Sequence, residues 1–151
     1  MPRSRQLKTA QRVLDENERR KAETLAAGER QVQESEAKLA ELKRYSEDYQ
    51  RDFARRAGGG MDAARARDYQ AFIARLDEAL RQQAEVVSRA HAQRTEQLGE
   101  WQGAAQRSAA VDRAVERHVS AEQRALERRE QHDSDERAQR LWSQGVNRRA
   151  R

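Results

Sequence analysis

The sequence predicts an all-α protein in which two long helices fold back on each other as an antiparallel coiled-coil hairpin, the second helix longer than the first. Three observations support this prediction. The one proline is Pro2, so no proline interrupts a helix later in the chain. The one run of glycines is Gly58-Gly59-Gly60, where the backbone is free to reverse direction. Apolar residues recur at three- and four-residue spacing on both sides of that run.

The first helix is predicted over about residues 4–57, with Ser4 as its N-cap. Its apolar residues form a stripe that faces the second helix. The 11-residue step near the start of this stripe interrupts the heptad and should locally relax the supercoil. The stripe consists of Leu7, Leu14, Leu25, Val32, Leu39, Leu42, Tyr49 and Phe53.

The turn is predicted at residues 58–60 and the second helix at about residues 61–144, followed by a disordered basic end at 145–151. All 151 residues are predicted to form a single coiled-coil domain. Reflection about Gly59 pairs Tyr49 with Tyr69 and brings Leu7 opposite about Val111, which leaves about 35 residues of the second helix unpaired. Its stripe consists of Tyr69, Ile73, Leu76, Leu80, Val87, Ala90, Leu98, Trp101, Val111, Val115, Val119 and Leu126.

The composition argues against an enzyme. Charged residues make up 38% of the chain and apolar residues 36%, which is too little for a large globular core with a deep cleft. The chain has no cysteine, and none of its three histidines has a second histidine at i+3 or i+4, so we expect no metal site. The glycine run lacks the lysine of a phosphate-binding loop. We therefore expect no cofactor, no small-molecule substrate and no catalytic residue.

The charge distribution does not favour nucleic-acid binding, although the net charge is +5 and the pI about 10.1. Acids and bases alternate along most of the chain, as on a solvated coiled-coil surface. No basic block precedes a zipper, and the aromatic residues lie away from the basic ends, so nucleic acid is not an expected partner. The chain has no signal peptide and no apolar run long enough to span a membrane, which favours a cytoplasmic location.

Five of the seven aromatic residues crowd near the turn, and they predict a surface for a partner protein. A two-helix seam needs one apolar row per helix, yet here the apolar band is wider. Excess apolar surface with a charged rim is typical of a partner site. The alternative is that the aromatic residues only pack a wider tip. The two rows involved are Lys38, Leu42, Tyr45 and Tyr49 on the first helix, and Phe72, Leu76, Ala79 and Gln83 on the second.

Four segments resemble the flagellar export protein family FliJ. They are residues 39–49 (LAELKRYSEDY), 68–82 (DYQAFIARLDEALRQ), 98–101 (LGEW) and 128–140 (RREQHDSDERAQR). The tyrosine pair at i, i+4, the Tyr-Gln-x-Phe-Ile-x-x-Leu run and the acidic-amide tail are the more specific elements, because coiled coils in general share length and charge.

This resemblance implies a cytoplasmic component of the flagellar type III export apparatus, associated peripherally with the inner membrane. Such proteins are stalk-like coiled coils that bind the hexameric export ATPase and promote its assembly and activity. They also contact the cytoplasmic domain of the export-gate membrane protein and escort export chaperones.

The resemblance also implies two sets of binding residues. Lys38 and Gln83 depart from the family pattern, in which an amide and a histidine can occur at these positions. The export-gate set is Lys38, Leu42, Tyr45, Tyr49, Phe72, Leu76, Ala79 and Gln83. The export-ATPase set is Leu7, Leu14, Gln131, Asp135, Glu136 and Arg140.

Two other functions remain open from the sequence. The nearer one is the stalk of a virulence-type secretion system, which would have the same architecture. The other is a nucleic-acid- or membrane-binding coiled coil that uses its arginine-rich ends. The oligomeric state is also open, since the excess apolar surface could be buried in a homodimer.

Overall fold

The computed structural model describes residues 3–150, which form two helices and no strand. Helix α1 spans Arg3–Gly58 and helix α2 spans Ala63–Arg149. The helices run antiparallel and pack against each other, so the predicted hairpin with a longer second helix is confirmed.

The turn lies at residues 59–62, slightly later than the sequence predicted. Gly60 has a φ of 92°, a left-handed conformation that suits glycine. The carboxylate of Asp62 accepts a hydrogen bond from the Arg65 amide at 2.8 Å and thereby caps the start of α2. With this cap α2 begins at Ala63, two residues later than the sequence predicts.

The outer ends of both helices also differ from the predictions. The Ser4 hydroxyl donates to the Glu122 carboxylate at 2.8 Å, and Ser4 lies inside α1, so its predicted role as N-cap is wrong. Helix α2 continues to Arg149, so residues 145–149 are helical and not disordered as predicted; Arg151 lies outside the described residues. A single glycine, Gly145, disfavours a helix by only about 1 kcal/mol and does not end this one.

The chain divides into two compact units, each of which contains part of both helices. The turn unit consists of residues 17–104, and the terminal unit combines residues up to 16 with residues from 105 onward. The prediction of one domain stays a prediction.

The core of the turn unit is thin, and two of its four buried apolar residues are alanines. Val32, Leu76, Ala90 and Ala104 are buried there. A Cβ atom added at Gly28 would lie 1.8 Å from the Gln97 Oε1 atom, so a glycine at this position lets the Gln97 side chain lie against the α1 backbone. Small side chains of this kind allow a close approach of the two helices.

In the terminal unit, polar contacts accompany a short apolar seam that includes the buried Val115. The Ser108 hydroxyl donates to Asp15 at 2.5 Å, and Gln11 donates to Asp112 at 2.6 Å. Reflection of the chain about Gly59 would place the partner of Gln11 about one helical turn before Asp112. Asp112 lies further along α2 partly because the turn comes later in the sequence than predicted. The unpaired part of α2 is correspondingly shorter than predicted.

The last part of α2 has no such seam. We call the residues from Gln123 to Arg149 the tail. Every side chain from Leu126 to Ala150 is exposed, and Leu126, predicted to extend the apolar stripe, is 48% exposed.

Candidate functional site

The aromatic residues near the turn form one continuous cluster in the turn unit. Tyr49 lies at its centre, with ring centroids 4.6 Å from Phe72 and 5.0 Å from Tyr69. Tyr45 meets Phe72 edge-on at 6.3 Å, and Phe53 stacks on Tyr69 at 5.4 Å. Offset and edge-on pairs at these distances are favourable beyond the area they bury, so the cluster fixes the two helices against each other.

A shallow groove of about 620 Å³ lies beside this cluster. It is lined by Lys38, Glu41, Leu42, Tyr45 and Gln83, which come from both helices. A second groove of about 560 Å³ shares Lys38, Glu41 and Gln83 with the first and continues along the seam. Four of the eight residues expected to bind the export gate therefore line one groove.

The eight export-gate residues, which we call the gate patch, differ in exposure. Tyr45 is 51% exposed, whereas Leu76 is 7% exposed and belongs to the core. Gln83 is half-buried and donates from Nε2 to the Ser35 carbonyl at 3.0 Å, so its side chain is held across the seam. Leu76 therefore belongs to the packed base of the gate patch, and a partner would cover Tyr45 at the centre of the contact and the charged residues at its rim.

Sequence reasoning missed two charged residues at this surface. Glu41 lines both grooves, and the Arg75 guanidinium lies 5.6 Å from the centre of the Phe72 ring. Spacing alone could have found them, because Glu41 follows Lys38 and Arg75 follows Phe72 by three residues on a helix. They add an anion and a cation to the rim.

Asp52 anchors the cluster on the side of the turn. Its carboxylate accepts hydrogen bonds from Arg55 at 2.6 Å and from the Tyr69 hydroxyl at 3.2 Å. The hydrogen bond from Arg55 lowers the pKa of Asp52 below its usual value of 3.8. The hydrogen bond from Tyr69 and the positive charge of Arg56 lower it further. Desolvation among the neighbouring rings raises the pKa of Tyr49, and the nearby Tyr69 and Tyr45 add to this effect.

We expect Asp52→Asn to lower the melting temperature at neutral pH, because the uncharged amide binds Arg55 less strongly. A lowered folded-state pKa means that Asp52 stabilises the fold above pH 3.8 and that this stability is lost as the pH falls through the folded-state pKa. The difference between wild type and variant should therefore shrink in acid. Circular dichroism melts across this pH range measure it.

Asp48→Asn is the matched control, because Asp48 lies one turn earlier and pairs with Arg51 at the exposed surface. It should change the melting temperature less. Equal effects of the two variants at every pH would contradict the anchoring role of Asp52.

The residues expected to bind the export ATPase do not form one cluster. Leu7 and Leu14 are half-buried against α2, so they support the seam of the terminal unit. The other four lie in the tail and pair along the helix: Gln131 with Asp135 at 3.1 Å, and Arg140 with Glu136 at 3.5 Å. Their side chains are exposed, and such surface pairs contribute little to stability.

Between residues 3 and 150, no group of three or more His, Cys, Asp or Glu side chains is placed to hold a metal ion. No helix in the same range combines the length and apolarity needed to cross a membrane.

The chain matches one known protein family over nearly its whole length. The family model described as "Flagellar FliJ protein" matches residues 3–147. The chain belongs to the FliJ family. Membership gives it a role associated with flagellar type III export, in a family of non-enzymatic accessory proteins. No curated protein and no solved structure matches the chain significantly.

Proposed function

We propose that this FliJ-family protein is the stalk of the flagellar export ATPase and links that ATPase to the export gate and to export chaperones. In this proposal it works in the cytoplasm, peripherally associated with the inner membrane at the flagellar base. The ATPase contacts lie in the tail and the export-gate contacts lie in the gate patch.

The observation that most supports the ATPase contact is the tail. A helix that continues beyond its partner with every side chain exposed from Leu126 onward has a full circumference available for contacts. A ring of six subunits has a narrow central opening. A single helix is only about 10–12 Å across with its side chains, so it is thin enough for such an opening.

The proposed mechanism is mechanical and not catalytic. The helical hairpin has no rotational symmetry, whereas the ATPase ring does. Inside the ring it would therefore make different contacts with each subunit, and these contacts would favour closure of some subunit interfaces over others. The free energy comes from nucleotide hydrolysis in the ATPase subunits. Residues Gln131, Asp135, Glu136 and Arg140 supply polar contacts, and Leu7 and Leu14 hold the two helices together next to the tail.

The support for gate binding is the gate patch. Interface centres are enriched in tyrosine and other aromatic residues, which bury a large area with few rotatable bonds. Tyr45 is half-exposed beside a groove that also presents Lys38 and Glu41. Such a mixed rim suits a partner surface with its own apolar residues and charges.

The experiment that tests the stalk role compares the hydrolysis rate of the export ATPase from the same organism with and without this protein. We expect faster turnover, together with a hexamer-sized complex in a sizing run. An unchanged rate and no larger complex, with a helical and monodisperse protein, would rule out the stalk role and leave a link to the gate or chaperones.

A further inference from the structure

The end of the tail carries an apolar face that the proposed ATPase contacts do not use. Ala138, Leu141, Trp142, Gly145 and Val146 follow one another at i, i+3, i+4, i+7 and i+8. Residues at this spacing lie on one side of an α-helix. In the structure this segment is continuous helix as far as Arg149.

This face is uncovered. Leu141 is 71% exposed, Trp142 is 73% exposed and Val146 is 44% exposed. Earlier in α2, by contrast, Leu76 and Val115 are buried. An exposed tryptophan beside an exposed leucine is costly in water, so the arrangement points to a partner that covers it.

The charge around this face has one sign. After Glu136 the sequence contains five arginines and no acid. Arg137, Arg140 and Arg148 lie outside the apolar stripe on the helix circumference, and Arg149, seven residues after Trp142, lies at the C-terminal end of the stripe. The preceding stretch differs, because residues 127–136 mix five acids with two arginines. The change from mixed to purely basic charge coincides with the start of the apolar stripe.

We propose that the segment Arg137–Arg149 binds the surface of an anionic lipid bilayer, with its apolar face in the headgroup region and its arginines on lipid phosphates. A short helix with tryptophan and leucine on one face and arginines around it has the composition of interfacial helices. Tryptophan favours the membrane–water boundary because its ring is apolar and its N–H is polar. Arg140 belongs both to this segment and to the proposed ATPase contacts, but the lipid tests use the protein without the ATPase, so the two proposals fail separately.

The charge of the segment favours an anionic bilayer over a second copy of the chain or a nucleic acid. A second copy packed on the same face would bring two sets of arginines together with no acid between residues 137 and 149 to pair them. A nucleic-acid backbone would attract the arginines but leave Leu141, Trp142 and Val146 uncovered. A bilayer with anionic headgroups covers both the apolar face and the charges.

The first test is flotation of the full-length protein with vesicles of phosphatidylcholine alone or mixed with phosphatidylglycerol, at low and high salt. We expect binding to the anionic vesicles that weakens as salt rises, and little binding to the neutral ones. The background variant Trp101→Phe leaves Trp142 as the one tryptophan. Its fluorescence should then shift to the blue when anionic vesicles are added.

Two pairs of variants locate the contact. Arg148→Gln/Arg149→Gln should weaken binding roughly 30-fold, about fivefold per arginine. Arg128→Gln/Arg129→Gln removes the same charge from the preceding stretch and should have a smaller effect. Leu141→Ser/Trp142→Ser should reduce flotation at least about tenfold, since it removes the apolar contact. Leu126→Ser is its control, because Leu126 is also exposed.

Either of two results would overturn the proposal. One is absence of flotation, or of a Trp142 shift, with anionic vesicles. The other is an equal loss of vesicle binding in the variants and their controls. That result would mean that binding depends on the net charge of the protein and not on the segment Arg137–Arg149. If Leu141→Ser/Trp142→Ser lowers ATPase stimulation but leaves flotation unchanged, a protein covers this face and the lipid proposal is wrong.

Discussion

Tyr45→Ala should weaken binding to the cytoplasmic domain of the export-gate protein by about 30-fold or more. Tyr45 is half-exposed, lines the groove and contacts Phe72 edge-on, so a partner would bury a ring that is already held in place. Truncation of an aromatic residue at the centre of an interface typically costs about 2 kcal/mol or more, which corresponds to this factor. Calorimetric titration of the purified domains measures it.

Two companion variants separate binding from folding. Tyr45→Phe keeps the ring and should bind nearly as well as wild type. Val13→Ala removes a 59% exposed apolar side chain of α1 outside the gate patch and should have no effect on binding. Wild-type affinity in Tyr45→Ala, with an unchanged helical spectrum, would contradict the assignment of the patch to the export gate.

Truncation after Glu130 should abolish stimulation of the export ATPase and leave gate binding intact. The truncated chain lacks Gln131, Asp135, Glu136 and Arg140 but keeps the whole turn unit. All of the removed side chains that the structure describes are exposed, so their loss should not unfold the seam. Steady-state hydrolysis assays without lipid, combined with gate titrations, measure the two activities separately.

The double variant Glu136→Ala/Arg140→Ala tests the same surface without shortening the chain. It removes a surface pair at 3.5 Å and should lower stimulation in part, while Glu127→Ala serves as its control in the same exposed helix. If truncation removes both ATPase stimulation and gate binding, or neither, then the tail does not bind the ATPase separately from the binding of the export gate by the gate patch.

The sequence predicted the hairpin because helix periodicity and a single glycine run leave few alternatives. It also predicted correctly that Tyr49 meets Tyr69 and that Val32 and Leu76 are buried. The sequence does not give the register of α1 against α2 far from the turn, because this register depends on the residue at which the turn is centred. The cap at Asp62 is a local side-chain contact, and it shifts the start of α2.

The gate patch was predictable as a set of neighbours but not as a surface. Spacing places Leu42, Tyr45 and Leu76 near one another and puts Leu76 in the seam, but only packing shows that about half of the Tyr45 side chain stays exposed. Ser4 was wrongly predicted as a cap because serine suits both a helix start and a polar contact across a seam. Its partner Glu122 is 118 residues away in the sequence.

That separation has a consequence for synthesis of the protein. Because the hairpin is antiparallel, the ribosome completes α1 before its partner exists, and α2 then emerges with the residues next to the turn first. We expect pairing to proceed from the aromatic cluster outward, since contacts close in sequence form at the lowest entropic cost. At about 5–20 residues per second, Ser4 would wait about 6–24 s for Glu122. During that time the apolar stripe of the terminal unit is available to chaperones and proteases.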